Sequence, residues 1–264
     1  MQRNVLRAVV LDWSGTLIDR YSLAPKHAFQ RAFQLHNVHV WPEDIVADMG
    51  MRKENHFANI ISRYAVVSQF ETVPTKMKAQ EIFQNYLQIQ RELLRDPKYS
   101  ELIPNVVEAS NYFRKHFNLS IGVTTGYSKE LVDLFINNVK EQGFIPDAMI
   151  ASDEINNGTR PKPFMLYRLL EIMNSHPIKS VLKVGDTKMD IAEGHAAGCW
   201  TCGVSRYSAY MLAENHDDDP LDYMHEQSVT KLKCSDAHYV IDSVADLPWV
   251  IVDINKRLAN GESP

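Results

Sequence analysis

Six short apolar runs, spaced along the chain with helix-like stretches between them, constrain the fold more than any other feature. They are Ala8–Leu11, Ile121–Thr124, Ala148–Ile150, Val181–Val184, Thr201–Val204 and Tyr239–Ile241. Most lack an apolar–polar alternation, which is the mark of strands covered on both faces. Strands alternating with helices predict an α/β fold built on a doubly wound, mostly parallel sheet. At 264 residues the chain suits one large domain, or a core with a smaller insert, and 45% hydrophobic residues supply a buried interior.

One region breaks the rhythm. Residues 22–99 read as almost wholly helical, with an amphipathic Ala28–Phe33 segment and a longer Met77–Leu94 stretch carrying Ile82, Phe83, Tyr86, Leu87 and Ile89 at mostly helical spacing. The division expected is a catalytic core of residues 1–21 and 100–264, Rossmann-like in type, with an inserted α-helical cap at 22–99. The hinges fall near Asp19-Arg20 and Leu102-Ile103-Pro104-Asn105, where Pro104 suits the first turn of a returning helix. Residues 206–235 read as a surface excursion, with Asp217-Asp218-Asp219-Pro220 a solvated turn.

Several function classes are excluded on composition. A net charge of −5 gives no basic surface for nucleic acid. No apolar run approaches the roughly 20 residues that span a bilayer. The opening Met1–Val5 leads straight into a strand pattern, so the expectation is no secretory leader and a cytoplasmic protein. Three cysteines do not build a disulfide framework. Cys199 and Cys202 form a C-x-x-C without a second ligand pair, and read as ordinary buried cysteines at a turn entering a strand.

The chemistry-bearing residues sit where the strands end. Asp12 closes the first run and is followed by Ser14, Gly15 and Thr16; an Asp there can attack phosphorus. Alone, it would read as a turn cap. Thr124-Thr125-Gly126-Tyr127 offers a hydroxyl and a flexible amide to a phosphoryl oxygen. Gly185-Asp186-Thr187-Lys188-Met189-Asp190 brings two carboxylates suited to Mg²⁺, a hard cation that takes oxygen ligands. Arg160-Pro161-Lys162-Pro163 adds cations that can neutralise phosphoryl charge. Lys53, in Met49-Gly50-Met51-Arg52-Lys53-Glu54-Asn55-His56, reads in isolation as a solvated lysine. To capture an aldehyde it would have to be neutral, which burial favours.

The order D-x-S-G-T, T-T-G, R-P-K-P and G-D-T-x-x-D, from about residue 5 to 245 and ending in Ala237–Ser243, resembles the haloacid dehalogenase superfamily of phosphotransferases. Leu11-Asp12-Trp13, the Met49-Gly50 loop with Lys53 and His56, Thr124–Tyr127, and Arg160 where typical members carry lysine are similar to the phosphonoacetaldehyde hydrolases (phosphonatases) within it. The resemblance implies cleavage of the C–P bond of phosphonoacetaldehyde to acetaldehyde and phosphate. Lys53 would form a Schiff base, His56 would shuttle a proton from the same helix face, and Met49 would pack against the amine. Asp12 would become an aspartyl-phosphate. Thr125, Gly126 and Arg160 would bind the phosphoryl oxygens. Asp12, Asp186 and the carbonyl of Ser14 would hold Mg²⁺, with Asp190 acting through a water. It also implies a homodimer joined through the cap, for which Tyr21, Phe29 and Phe33 are candidates, unless they form the cap's own core.

Position 14 separates the readings. Ordinary phosphatases of the superfamily carry a second Asp there to protonate an alkoxide; Ser14 is a very weak acid, and a carbanion leaving group needs the electron-withdrawing iminium instead. Two residues depart from the pattern: Ser22 stands where a cysteine is common, and Lys162 adds a second cation to the basic loop. The alternatives are a Mg²⁺-dependent phosphatase acting on a small phosphate ester, or a non-catalytic binding module.

Overall fold

The computed structural model describes residues 5–264; Met1–Asn4, on which the expectation about a leader rests, lie outside the described residues. Six parallel strands form one sheet in the order β3-β2-β1-β4-β5-β6, with β1 Ala8–Leu11, β2 Ser120–Thr124, β3 Ala148–Ile150, β4 Val181–Gly185, β5 Trp200–Val204 and β6 Tyr239–Ile241. Each predicted strand is present. Alternate residues of a strand point to opposite faces, and here both faces are covered. Val9 and Leu11 join a core with Ile121, Val123, Leu182 and Val184, while Ala8 and Val10 pack with Val181, Ile150, Met165, Leu166 and Leu169.

The helices before β2 are α1 Leu23–Gln34, α2 Pro42–Val46, α3 Lys53–Ser62, α4 Tyr64–Val67, α5 Lys76–Leu94 and α6 Val106–Phe117. Those after it are α7 Lys129–Asp133, α8 Ile136–Glu141, α9 Phe164–Ile172, α10 Lys188–Ala197, α11 Asp222–Lys233 and α12 Leu247–Ala259. The sheet order reverses direction between β1 and β4, the switch point beyond whose carboxyl ends open α/β sheets bind ligands. Asp12 and Asp186 follow these two strands.

Helices α1–α5 all lie between β1 and β2, as the helical block predicts. The two connections run side by side: Ile18 bridges Leu102, and the Ile103 amide donates to the Leu17 carbonyl at 2.8 Å. The outgoing strand turns through left-handed backbone at Asp19, Tyr21 and Ser22, with φ of 49°, 65° and 51°. The Asp19 carboxylate then accepts from the amides of Leu23 (3.1 Å) and Ala24 (3.2 Å), satisfying free donors at the start of α1.

Tyr21, Phe29 and Phe33, weighed as interface candidates, are buried inside the chain. Phe29 stacks on Tyr86 at 4.0 Å and Phe33 on Phe57 at 5.6 Å, so these rings close α1 against α3 and α5. A dimer contact through this block would fall to its exposed apolar side chains, such as Trp41, Tyr64 and Met77. The reading of 206–235 as a surface excursion also needs correction. Ser208, Ala209, Tyr210 and Met211 are buried at the head of that segment, where Ser208 and Ala209 donate to Asp186. In the acidic turn beyond them Asp217 and Asp219 are exposed, as expected, and Asp218 and Pro220 are half-buried. Cys199 and Cys202 are buried free thiols, with burial pushing Cys199 up to about 12. Among the described residues no helix is long and apolar enough to cross a membrane.

Truncating Phe29 removes a fully buried ring and its stack. Phe29→Ala is expected to cost about 3–5 kcal/mol of stability, seen as a lower midpoint in chemical denaturation. An unchanged midpoint would mean the ring is not part of the packed interior.

Candidate active site

Beyond the ends of β1, β2 and β4 lies a cavity lined by Asp12, Ser14, Ser22, Pro25, Met49, Gly50, Lys53, Thr125, Gly126, Tyr127, Arg160, Asp186 and Thr187. Of the sequence-predicted site residues, only His56 and Asp190 are absent from its lining. The three carboxylates of Asp12, Asp186 and Asp190 offer oxygens that all lie within 4.8 Å of one another.

Each carboxylate is fixed by its own local structure. Asp190 sits in the first turn of α10; its Oδ2 accepts from the Thr187 hydroxyl at 2.7 Å and the Thr187 amide at 3.2 Å, a capping arrangement. Asp186 Oδ2 accepts from the Ala209 amide at 2.8 Å and its carbonyl from the Ser208 hydroxyl at 2.8 Å, while Oδ1 is buried without a partner. Asp12 Oδ1 meets Arg160 Nη2 at 2.8 Å. Gly15, with φ +75°, leaves room for Asp186: a Cβ there would lie 2.3 Å from Asp186 Oδ2.

Arg160 is buried at the centre of these groups. Its Nε donates to Glu193 Oε2 at 2.9 Å, and its Nη2 reaches the Thr124 carbonyl at 2.6 Å and hydroxyl at 2.9 Å as well as Asp12. Nη1 lies 2.9 Å from Asp190 Oδ1 but is not aligned for a hydrogen bond. Lys183, in the middle of β4, places Nζ 3.0 Å from Asp190 Oδ1 and donates to the Thr124 hydroxyl at 3.0 Å. Lys162 takes no part; it is exposed and donates to the Asn157 carbonyl.

The charges explain what these groups can hold. Four buried carboxylates, Asp12, Asp186, Asp190 and Glu193, face three buried basic side chains, Arg160, Lys183 and Lys53, the last with its charge disfavoured by burial. Burial raises the Asp12 carboxyl above its ordinary range against the pull of Arg160, with Asp190 adding to the rise. Burial, then Asp12 and Asp190, hold Asp186 well above its range. Asp190 goes the other way: burial opposes its charge, and Arg160 and Lys183 outweigh burial. A divalent cation would reverse the repulsion among these oxygens. The unpartnered Asp186 Oδ1 and the Ser14 carbonyl, which accepts no hydrogen bond among the described residues, complete an all-oxygen donor set that fits Mg²⁺.

The amine comes from the helical block. Lys53 begins α3, 6% exposed, with Nζ 5.1 Å from the Tyr127 ring centroid. Burial pushes it down to about 8; Asp12 opposes the fall and Arg160 adds to it. The positive end of the α3 dipole also disfavours a cation there. His56 is buried beneath it and donates from Nε2 to the Ile45 carbonyl at 2.7 Å, which leaves Nδ1 a free, unpartnered base. Burial, and then Lys53, hold His56 well below its usual range. Met49 is buried in the cavity wall.

Thr125 Oγ1 accepts from the Tyr127 amide at 3.1 Å, and the Gly126 amide has no acceptor among the described residues. A Cβ at Gly126 would lie 2.6 Å from the Met51 carbonyl oxygen and 2.8 Å from that of Gly50, so the loop bearing Lys53 rests backbone to backbone on the loop after β2. Sequence reasoning placed Tyr127 in the motif after β2 but gave it no role, and its hydroxyl is 2.9 Å from Ser14 Oγ; it missed the buried Lys183 and Glu193. Lys183 had a signal: a lysine inside the apolar run Val181–Val184 must be paired if that run is a buried strand.

The family described as Haloacid dehalogenase-like hydrolase matches residues 9–204. The chain is 33% identical over 268 residues to a phosphonoacetaldehyde hydrolase of Paraburkholderia xenovorans (strain LB400), covering 98% of this chain and 99% of that one. It is 33% identical over 261 residues to a phosphonoacetaldehyde hydrolase of Bacillus cytotoxicus, covering 96% and 97%. The crystal structure of a phosphonoacetaldehyde hydrolase like protein from Oleispira antarctica superposes with a TM-score of 0.91 at 29% identity, over 98% of this chain and 96% of that one. A β-phosphoglucomutase from Clostridium difficile shares the fold alone, with a TM-score of 0.70 at 14% identity over 98% and 100% of the chains. A match that runs from β1 to β5, with relatives aligned over nearly their whole length, means that the chain belongs to the haloacid dehalogenase-like hydrolases.

Proposed function

We propose that the protein hydrolyses the C–P bond of phosphonoacetaldehyde, giving acetaldehyde and phosphate, with residues 22–99 acting as a cap over the core. One observation carries this reading. A buried lysine amine, lowered to about 8, lines the same small cavity as a strand-end aspartate and a buried arginine. A phosphate-ester phosphatase would have no use for that amine, and it would want an acid at position 14. The Ser14 hydroxyl there is paired with Tyr127 instead.

In this reading the neutral Lys53 amine attacks the aldehyde, and loss of water gives a protonated imine. His56 Nδ1, with no other partner, takes the Lys53 ammonium proton to give that neutral amine and returns it to the carbinolamine hydroxyl, which leaves as the water. Asp12 then attacks phosphorus. The P–C bond breaks as the Asp12–phosphorus bond forms, and its electron pair flows into the iminium to leave an enamine. Protonation at carbon and hydrolysis release acetaldehyde from Lys53, and water hydrolyses the aspartyl-phosphate. The Gly126 amide, the Thr125 hydroxyl and Arg160 bind the phosphoryl oxygens. Asp12, Asp186 and the Ser14 carbonyl would hold Mg²⁺, with Asp190 acting through a water; when bound, the ion neutralises charge on the phosphoryl group and on the carboxylates. Contact between the Met51 and Gly126 loops excludes water that would hydrolyse the imine early.

Borohydride reduction with phosphonoacetaldehyde and Mg²⁺, followed by peptide mass analysis, should find an aldehyde-derived adduct on Lys53. Lys53→Arg should keep the charge and lose both adduct and turnover; turnover surviving in that variant sinks the Schiff base. The pH dependence has a definite sign. The reactive amine is the neutral form, so kcat/KM should rise about tenfold per pH unit below a pKa near 8. It should then level off, whereas an ordinary lysine, titrating near about 10.4, would still be climbing at the alkaline end. Gly126→Ala should part the two loops. A misplacement of about 1 Å can cost about 100-fold in rate, so kcat/KM should fall on that scale while the denaturation midpoint changes little. Full activity in that variant would show that the loops need not touch.

A further inference from the structure

Glu193 is fully buried and lies outside the cavity lining, yet it touches Arg160, Thr124 and Lys183. It lies three residues after Asp190 on α10, so both carboxylates leave one face of that helix. Its Oε2 accepts from Arg160 Nε at 2.9 Å and from the Thr124 hydroxyl at 3.1 Å, with Lys183 Nζ at 3.4 Å. Its Oε1 has no partner.

A guanidinium is a planar fork of five donors, and fixing one edge decides where the others point. In Arg160 the Nε edge is fixed by Glu193, and Nη2 faces Thr124 and Asp12. That leaves Nη1, which is buried 2.9 Å from Asp190 Oδ1 but is not aligned with it for a hydrogen bond. A buried charged donor whose hydrogen bonds stay unmade is costly, and an ion pair without that alignment leaves its N–H groups able to engage a ligand oxygen. We propose that Glu193 is a positioning residue: it turns the Arg160 fork so that Nη2 holds the nucleophilic carboxylate and Nη1, beside Asp190 but not hydrogen-bonded to it, is presented to a phosphoryl oxygen of the substrate or of the phosphate product. The inference rests on the proposed reaction for its substrate, but its geometry concerns the phosphoryl side alone.

Reach and charge can be separated at this position. Glu193→Gln keeps an acceptor at the Nε distance, and its amide nitrogen can fill the place of the unpartnered Oε1. Glu193→Asp keeps the charge but withdraws the carboxylate by one methylene. With the full-length protein in Mg²⁺, inorganic phosphate is the probe. The dissociation constant for phosphate and the KM for phosphonoacetaldehyde should rise about tenfold or more in Glu193→Asp, the scale of a lost charged hydrogen bond, and stay within about threefold of wild type in Glu193→Gln. Trapping of acetaldehyde on Lys53 by borohydride should be equal in all three proteins. The opposite order, Asp near wild type and Gln impaired, would mean that Glu193 balances charge, and overturns the proposal. So would unchanged phosphate binding in folded Glu193→Asp. Absence of trapping in the wild type would defeat the Schiff base while leaving the phosphate comparison intact.

Discussion

A single buried guanidinium joins the parts of this molecule that chemistry would need. Arg160 contacts Asp12 after β1, Thr124 at the end of β2, and Asp190 and Glu193 on α10. Taking such charges out of water is expensive, and their mutual attraction repays it only when the geometry is good and the remaining donors are satisfied. Here burial works against the Arg160 charge, and Asp12, Asp190 and Glu193 together outweigh it. A hydrophobic replacement of the whole cluster could stabilise the fold as well or better. What it could not do is hold three carboxylate oxygens within 4.8 Å of one another beside an amine. The cluster therefore makes sense as an arrangement kept for reaction, with carboxylates in excess so that a divalent cation is favoured.

Two other features depend on that centre. The segment after β5 grips Asp186 through Ser208 and Ala209, then continues to the root of the helical block. There Lys26 donates to the Ala213 carbonyl, Tyr21 donates to the Asp218 carbonyl, and His216 pairs with the Asp19 carboxylate at 3.1 Å. The carboxylate beside β4 and the start of α1 are thus held by one stretch of chain. From the opposite side, the Met51 and Gly50 carbonyls press against Gly126. The helical block is tied to the sheet at its root and meets it again at the loop that carries Lys53, which is how an amine encoded far from Asp12 comes to share its cavity.

The sheet was legible because strand burial on both faces writes itself into the sequence as unbroken apolar runs. Ala8–Leu11 needs no partner to be recognised. The helical block was legible for the same kind of reason, since α5 carries its apolar stripe at helical spacing from Ile82 onward. Lys53 was legible only through the company of Met49, Gly50 and His56, because nothing in a lysine's identity says whether it is solvated. Glu193 and Lys183 were not found: Glu193 looks like a surface residue until β4 and α10 are packed together, and Lys183, though its place in an apolar run signals burial, carries no sign of the partners it meets over Thr124. Ser208 and Ala209 were missed for a different reason. Backbone and hydroxyl donors carry no signature of the carboxylate they serve, and the acidic turn that follows made the whole stretch look solvated. Tyr21, Phe29 and Phe33 show the limit for apolar residues, whose sequence says that they will be covered but not by which surface.

The proposed reaction asks for opposite shifts in two groups that share one cavity: an amine that gives up its proton near neutral pH and a carboxylate that stays a nucleophile. Burial alone serves the first and harms the second, since it disfavours either charge. The structure separates the two by what surrounds them. Lys53 stands over the Tyr127 ring, with no hydrogen bond or ion pair among the described residues to hold its proton, and at the end of a helix that repels a cation. Asp12 has Arg160 at 2.8 Å and lies beside the donor set that fits Mg²⁺. The shift at Asp12 is upward in the protein alone, with burial first among its causes, so its charge would depend on the ion as well as on Arg160. An amine tuned by the protein and a carboxylate completed by the metal would be ready together only when both the cap loop and the ion are in place. That condition would keep the imine from forming over a nucleophile unable to use it.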